Sequence, residues 1–226
     1  MSFNLISKDT GYNKEVRHET FCMNLPFITT KITGIDNQLL EKQIKDLCKE
    51  TTGKESRSIY RKAGDGEGIF KGKDASGIFK GNRTHQYLHQ ESLEFANLGD
   101  IAIEQSRTMF HKRSWISHLV MHACWGIIYK KGDGSAIHHH GTTDVSWVYY
   151  VKTPKGSSPL VFPQCAYYTP ENELKILEVE PEEGLMVLFL GNVDHFVSPS
   201  EIDEERIVIA GNINDPEKYN IWKLEK

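Results

Sequence analysis

Histidines dominate the part of the sequence that could bind a metal ion. The chain has 10 histidines in 226 residues, and three of them are consecutive, at 138–140, in GSAIHHHGTTDVSWVYY. If this run enters a β-strand, side chains alternate between the two faces, so His138 and His140 share a face and His139 takes the other. Imidazole suits Fe, Zn, Cu and Ni alike, and an H-x-H pair needs a further ligand from elsewhere in the fold. The pattern predicts part of a metal site; the alternative is a solvated turn.

His195 is the candidate for the third ligand. It follows the apolar run GLMVLFLGN and a short turn, so a histidine held at the edge of a strand is expected. Asp144 and Asp194 lie close to the histidines in sequence, and a carboxylate from either could take one ligand position, directly or through water. The identity of the native metal stays open at this point.

Arg206 opens the run ERIVIAGN, 11 residues after His195. A strand here would set Arg206, Val208, Ala210 and Asn212 on one face. A guanidinium inside a barrel needs a partner, because burying it unpaired is costly. Its planar fork of donors matches a carboxylate, so this face is predicted to bind one.

The elements that must position these side chains are short β-prone runs separated by Gly, Pro, Asp and Asn. Seven runs at close spacing after Trp115 predict a sandwich or barrel. They are SHLVMHACWGIIYK, DVSWVYYVK, PLVFP, ELKILEV, LMVLFL, HFVS and ERIVIAGN.

The N-terminal part has a different pattern. Apolar residues at helical spacing predict helices at 36–50, with Asp36 as N-cap, and at 91–110. The segment between them, 52–84, is rich in Gly and Lys and repeats GIFKG at 68–72 and 77–81. We expect this segment to be a surface loop or, alternatively, a lid over a site. If it is a lid, proteases should cleave it more slowly when ligands are bound.

One domain is predicted over 1–226, because no break in composition separates the helical region from the strands. Residues 1–114 would form a helical buttress and a long loop, 115–213 the β-barrel core, and 214–226 a C-terminal extension. The fold class is α+β and mainly β.

Composition excludes some partners. A formal charge of -4 disfavours a broad nucleic-acid-binding face, which needs an excess of Lys and Arg. No apolar stretch of about 18 residues occurs, so no membrane segment is predicted. Four cysteines without a CxxC pair, and no secretion leader, predict a reduced cytoplasmic chain. A homodimer is left open.

The histidine region also resembles a known family. The stretch HHHGTTDVSWVYYV is similar to the H-x-H-P...S-G-V-Y-Y signature of a group of 2-oxoglutarate-Fe(II) oxygenases of marine bacteria and their phages. Ser146, Val148 and Tyr150 fall on positions of that signature, whereas Trp147 stands where the group has Gly. The resemblance extends over residues 115–213.

This resemblance implies a double-stranded β-helix, that is, a jelly-roll or cupin-like barrel buttressed by N-terminal helices. It further implies Fe(II) as the metal and 2-oxoglutarate and O2 as co-substrates, with succinate and CO2 formed as an unidentified small molecule or peptide is hydroxylated. His138, His140 and His195 would be the metal ligands. Arg206 is then expected to bind the distal carboxylate of 2-oxoglutarate, with Tyr150 as second choice and Asn212 as third.

The ligand set departs from the usual one, in which two histidines and one carboxylate bind the metal. His140 stands at the carboxylate position, so the site carries one negative charge fewer. Two other functions therefore stay open. One is a cupin-like metal enzyme that binds its metal by three histidines, needs no 2-oxoglutarate and has no role for Arg206. The other is a non-catalytic barrel with a degenerate site.

Overall fold

Two facing antiparallel β-sheets form the body of the chain. The computed structural model describes residues 16–20, 26–51, 79–109 and 118–216. In chain order the elements are β1 (Val16–Thr20), β2 (Pro26–Lys31), α1 (Asn37–Thr51), β3 (Phe79–Lys80), β4 (Asn82–Arg83), a 3-10 turn (Leu88–Gln90), α2 (Leu93–Met109), β5 (Val120–Tyr129), β6 (Gly134–His138), β7 (Val145–Lys152), β8 (Leu160–Tyr168), β9 (Leu174–Val179), β10 (Leu185–Leu190), β11 (His195–Val197) and β12 (Arg206–Asn214).

The order of the strands identifies a double-stranded β-helix. The larger sheet has the order β1-β2-β10-β7-β12-β5-β4 and the smaller one β3-β6-β11-β8-β9. From β5 onward the chain passes back and forth between the sheets, so that β5, β7, β10 and β12 face β6, β8, β9 and β11. The predicted mainly β, jelly-roll fold is confirmed, and each of the seven β-prone runs forms a strand.

The N-terminal region supplies strands as well as helices, which corrects the prediction that residues 1–114 form only a helical buttress and loop. β2 pairs with β10 inside the larger sheet, and β4 pairs with β5 at its edge. The run at 27–32 is rich in β-branched residues, which favour a strand.

Both predicted helices are confirmed, and both lie against the outer face of the larger sheet. The side chain of Asp36 accepts a hydrogen bond from the Leu39 N–H at 3.0 Å, as an N-cap does. Leu40 and Ile44 of α1 are fully buried in the core between the helices and the sheet. Ile44 packs directly on the backbone of β5 at Gly126, where a Cβ would come within 2.9 Å of it.

A second core fills the space between the two sheets. Phe162 of β8 meets Phe27 and Phe189 edge-on, with ring centroids 5.2 and 5.0 Å away. Alternation along β7 divides its residues between the cores: Trp147 and Tyr149 face the helices, and Tyr150 faces the barrel interior. Trp147 is thus accommodated largely on the helix side, beside Gly211.

The predicted 52–84 loop lies mostly outside the described residues, as do both copies of GIFKG apart from residues 79–81. The extension after Pro216 lies outside them too, and Asn214 still belongs to β12. In the described ranges, no helix has the length and apolar character needed to cross a membrane.

Candidate metal and co-substrate site

Three histidines converge at one end of the barrel interior. One ring nitrogen each from His138, His140 and His195 lie within 4.8 Å of one another. The ring centroids are 4.3 Å apart for His138 and His195, and 5.2 Å apart for His140 and His195. His139 is exposed outside this group. A single ion could contact all three rings with small side-chain adjustments.

The strand ends explain how the rings meet. His138 closes β6 and His195 opens β11, and the two residues are direct partners across this antiparallel pair. His140 lies beyond the end of β6, where its N–H donates to the Gly191 carbonyl at 2.7 Å. Alternation within a strand therefore does not bring His140 to the site. The turn after His138 does, and Gly141 continues that turn with φ +60°.

Backbone carbonyls fix the orientation of two of the rings. His138 Nδ1 lies 2.8 Å from the Ala136 carbonyl and His195 Nδ1 2.9 Å from the Val193 carbonyl. A carbonyl can only accept, so Nδ1 carries the proton in both rings and Nε2 keeps its lone pair. This is the arrangement that metal-ligating histidines usually have.

Burial keeps the two inner imidazoles neutral. Burial, together with the neighbouring histidines and Arg83, lowers the pKa of His140 to about 3. Burial also lowers the pKa of His195 to about 3, with His138 contributing. Neutral imidazole is the form that ligates a metal.

Asn212 contacts a ligand candidate rather than Arg206. Its amide lies between Ser146 Oγ at 3.1 Å and His140 Nδ1 at 3.5 Å. Six strand residues separate it from Arg206, about 20 Å at the usual rise. Asn212 therefore lies closer to the histidines than to Arg206 along the strand, and its third-choice role in co-substrate binding stays a prediction.

The two aspartates do not join the histidines. Asp144 accepts a hydrogen bond from the Asp215 N–H at 2.8 Å and connects β7 to the end of β12. Asp194 accepts one from the Gln164 side chain at 2.5 Å. Among the residues that the structure describes, the group of possible ligands consists of the three histidines alone.

Arg206 lies at the other end of the same cavity. Its side chain is 3% exposed, and its guanidinium lies 5.2 Å from the ring centroids of both Tyr129 and Tyr150. One of its N–H groups donates to the Ser158 carbonyl at 3.0 Å. Burial raises the pKa of the Tyr150 hydroxyl, and the adjacent Arg206 guanidinium opposes that rise. Within the described part of the chain, Arg206 Nε has no hydrogen-bond partner. Buried polar groups of this kind point to a missing acceptor.

A cavity of about 200 Å³ connects the histidines to Arg206. Several residues that line this cavity were not predicted from the sequence, including Trp125, Tyr129, Phe189 and Arg83. Trp125, Ile127 and Tyr129 alternate along β5, a signal that could have identified this face. The opposite face of β5 carries His122, which is exposed, and Cys124, which packs towards the helices.

Comparisons with known proteins agree with this geometry. Residues 123–212 match the family model described as "Putative 2OG-Fe(II) oxygenase", where 2OG is 2-oxoglutarate. The matched part contains the three histidines, Tyr150, Arg206 and Asn212. No curated protein sequence matches the chain.

Several solved structures share the fold. One is the viral collagen prolyl hydroxylase of Paramecium Bursaria Chlorella virus-1 in a 2OG complex, with a TM-score of 0.55, 14% identity, and 82% of this chain and 94% of that chain covered. Another is a Trichoplax adhaerens prolyl hydroxylase, with a TM-score of 0.52, 13% identity and 86% of both chains covered. The non-haem α-ketoglutarate-dependent epimerase SnoN of nogalamycin biosynthesis gives a TM-score of 0.52 at 10% identity, covering 84% of this chain and 78% of that chain.

At these identities the solved structures establish the fold, and the family model adds the type of site that the fold carries. Residues 123–212, which hold the histidines and Arg206, are thus similar to the family of putative 2-oxoglutarate- and Fe(II)-dependent oxygenases.

Proposed function

We propose that this chain hydroxylates a substrate in a reaction that consumes O2 and converts 2-oxoglutarate to succinate and CO2. His138, His140 and His195 hold Fe(II), and Arg206 binds the distal carboxylate of 2-oxoglutarate. The observation that carries the proposal is the pairing, in one cavity, of three convergent imidazoles with a buried guanidinium.

The donor set fits Fe(II). Imidazole nitrogen is a good ligand for this ion, and the Nδ1 hydrogen bonds of His138 and His195 leave Nε2 free to ligate. The neutral form of His140 and His195 removes the need to displace a proton at neutral pH. When bound, Fe(II) and 2-oxoglutarate supply the means to activate O2 and to oxidise a substrate C–H bond.

Arg206 orients the co-substrate. Its guanidinium can donate two parallel hydrogen bonds to one carboxylate, and the Tyr129 and Tyr150 rings hold it in place from two sides. The Tyr150 hydroxyl, buried close to the guanidinium, is a further donor to that carboxylate. The ketoacid end then lies towards the histidines.

The remaining walls position the ligands and exclude water. Phe189 lies edge-on to His195 with centroids 4.7 Å apart, and Trp125 is 6.0 Å from His140. These aromatic contacts limit rotation of the two rings. Asn212 helps to position His140: its amide oxygen accepts a hydrogen bond from Ser146 Oγ at 3.1 Å, and its amide nitrogen lies 3.5 Å from His140 Nδ1.

A cupin-like metal enzyme that uses three histidines without 2-oxoglutarate is the second candidate. The absence of a carboxylate from the described ligand group favours it. The buried Arg206 opposes it, because such an enzyme leaves this guanidinium without a task. Calorimetric titration of the Zn(II)-loaded chain with 2-oxoglutarate separates the two functions: saturable one-to-one binding supports the oxygenase, and no binding supports the second candidate.

A further inference from the structure

A second guanidinium lies at the histidine end of the cavity. Arg83, on β4, lines the cavity and stacks over Trp125 with its Cζ 4.2 Å from the ring centroid. Trp125 in turn lies 6.0 Å from the His140 ring. Arg83 is therefore a neighbour of the metal ligands, held by an aromatic platform in a cation–π contact.

Arg83 and Arg206 serve different parts of the cavity. The Arg83 guanidinium stacks at Trp125, whereas Arg206 is the strand partner of Tyr129. Their strand partners on β5, Ile127 for Arg83 and Tyr129 for Arg206, are two residues apart, about 7 Å at the usual strand rise. Arg206 faces the Tyr129 and Tyr150 rings, whereas Arg83 faces Trp125, the ring beside His140, so Arg83 is placed to meet the part of a ligand that lies at the histidine end.

The cavity attracts anions. Its lining among the described residues includes Arg83, Arg206 and three histidines, and no Asp or Glu. Charge–charge attraction is stronger in such a partly enclosed site than in open water. A guanidinium carries five N–H donors in a planar fork, which matches the oxygens of a carboxylate or a phosphate.

We propose that Arg83 binds a negatively charged oxygen group, carboxylate or phosphate, of the hydroxylated substrate. The enzyme therefore acts on an anionic substrate. This inference rests on the proposed function, because it assigns the substrate side of the same site.

Binding of matched probes to Trp125 tests the inference without turnover. The chain is labelled with 5-fluorotryptophan, loaded with Zn(II) and saturated with 2-oxoglutarate, so that Arg206 is already occupied. The 19F resonance of Trp125, assigned with Trp125→Phe, is followed during titration with hexanoate, hexyl phosphate and the neutral hexanamide. We expect at least one anion to shift it at a concentration about tenfold lower than hexanamide, the size of effect a charge-assisted pair gives.

Arg83→Gln should abolish this preference and Arg83→Lys should keep part of it. Arg107→Gln is the matched control, because it removes an exposed arginine of α2 that pairs with Glu104 at 2.8 Å. The anion that shifts the resonance at the lower concentration shows whether the site prefers a carboxylate or a phosphate. Equal binding of acid and amide, no shift with either anion up to tens of millimolar, or an unchanged preference in Arg83→Gln would overturn the inference. Failure of 2-oxoglutarate to bind, measured separately by calorimetry, would count against the proposed function instead.

Discussion

Arg206 is the residue on which the use of 2-oxoglutarate depends. Arg206→Gln should raise the Kd for 2-oxoglutarate roughly ten- to hundredfold, because a charge-assisted hydrogen bond contributes about 1.5–3 kcal/mol. The Kd of Arg206→Lys should lie between those of the unmodified chain and Arg206→Gln, because lysine keeps the positive charge but lacks the forked pair of N–H donors. Calorimetry on the Zn(II)-loaded variants measures both, with Zn(II) affinity unchanged. An unaltered Kd in Arg206→Gln would favour the cupin-like enzyme.

Tyr150 offers a test that separates function from folding. Its hydroxyl is buried beside the Arg206 guanidinium, which keeps its bond to the Ser158 carbonyl when that hydroxyl is removed, so Tyr150→Phe should change the melting temperature little. It should weaken 2-oxoglutarate binding severalfold if the hydroxyl donates to the co-substrate.

Tyr149→Phe is the matched control for this prediction. Its hydroxyl donates to Asn37 Oδ1 at 2.8 Å, so the loss should cost about 1 kcal/mol of stability and leave 2-oxoglutarate binding unchanged. A destabilised Tyr150→Phe with normal 2-oxoglutarate binding would show that this hydroxyl is structural.

At the residue scale, the sequence predicted the identity of the converging side chains better than the local structure that brings them together. The convergence of His138, His140 and His195 was expected and is observed, but His140 arrives through a turn and not through strand alternation. Asn212 is separated from Arg206 by six residues of β12 and contacts Ser146 and His140, so its role in binding 2-oxoglutarate stays a prediction. Arg83 was missed because its strand has only two residues, too few for a periodic signal.

Close packing between β12 and β7 is the main constraint at the scale of elements. A Cβ on Gly211 would lie 2.5 Å from Trp147 Nε1 and 2.8 Å from the Ala123 carbonyl. Gly211→Ala should therefore lower the free energy of unfolding by about 1–3 kcal/mol, the usual cost of overpacking. Denaturant unfolding measures it.

Gly99→Ala is the control for that substitution. Gly99 lies within α2, and its new Cβ would meet the end of the flexible Met121 side chain at 3.3 Å. A gain in helix propensity of up to about 1 kcal/mol offsets this contact. Equal losses in the two variants would mean that the Trp147 contact does not limit the packing of the sheet.

The elements themselves were predictable where periodicity was long. Both helices and the seven β-prone runs produced clear patterns, because each buries one face in a core. β2 and β4 were not predicted, although β2 forms part of the larger sheet. Their place is fixed by pairing with β10 and β5, which are distant in sequence, and a short window cannot contain that information.

For the whole molecule, metal binding should stabilise the fold. The ligands come from the end of β6, the following turn and β11, so an ion would join separate parts of the barrel. At a metal concentration 100 times its Kd the expected gain is about 2.7 kcal/mol, or roughly 5–10 °C in Tm for a chain of this size. Differential scanning fluorimetry with Zn(II) measures the shift.

Two histidine variants control that measurement. His139→Ala changes the exposed member of the triplet and should keep the full shift, whereas His195→Ala should lose it. A shift that survives in His195→Ala would show that the ion stabilises the chain from another position.

Anaerobic visible absorption tests the central claim most directly. Fe(II) and 2-oxoglutarate are added to the chain without O2, and chelation of the ketoacid by the bound iron gives a broad metal-to-ligand charge-transfer band without knowledge of the substrate. The account predicts this band for the unmodified chain and for His139→Ala, and its loss in His195→Ala. No band in the unmodified chain at saturating Fe(II) and 2-oxoglutarate, or an undiminished band in His195→Ala, would contradict it.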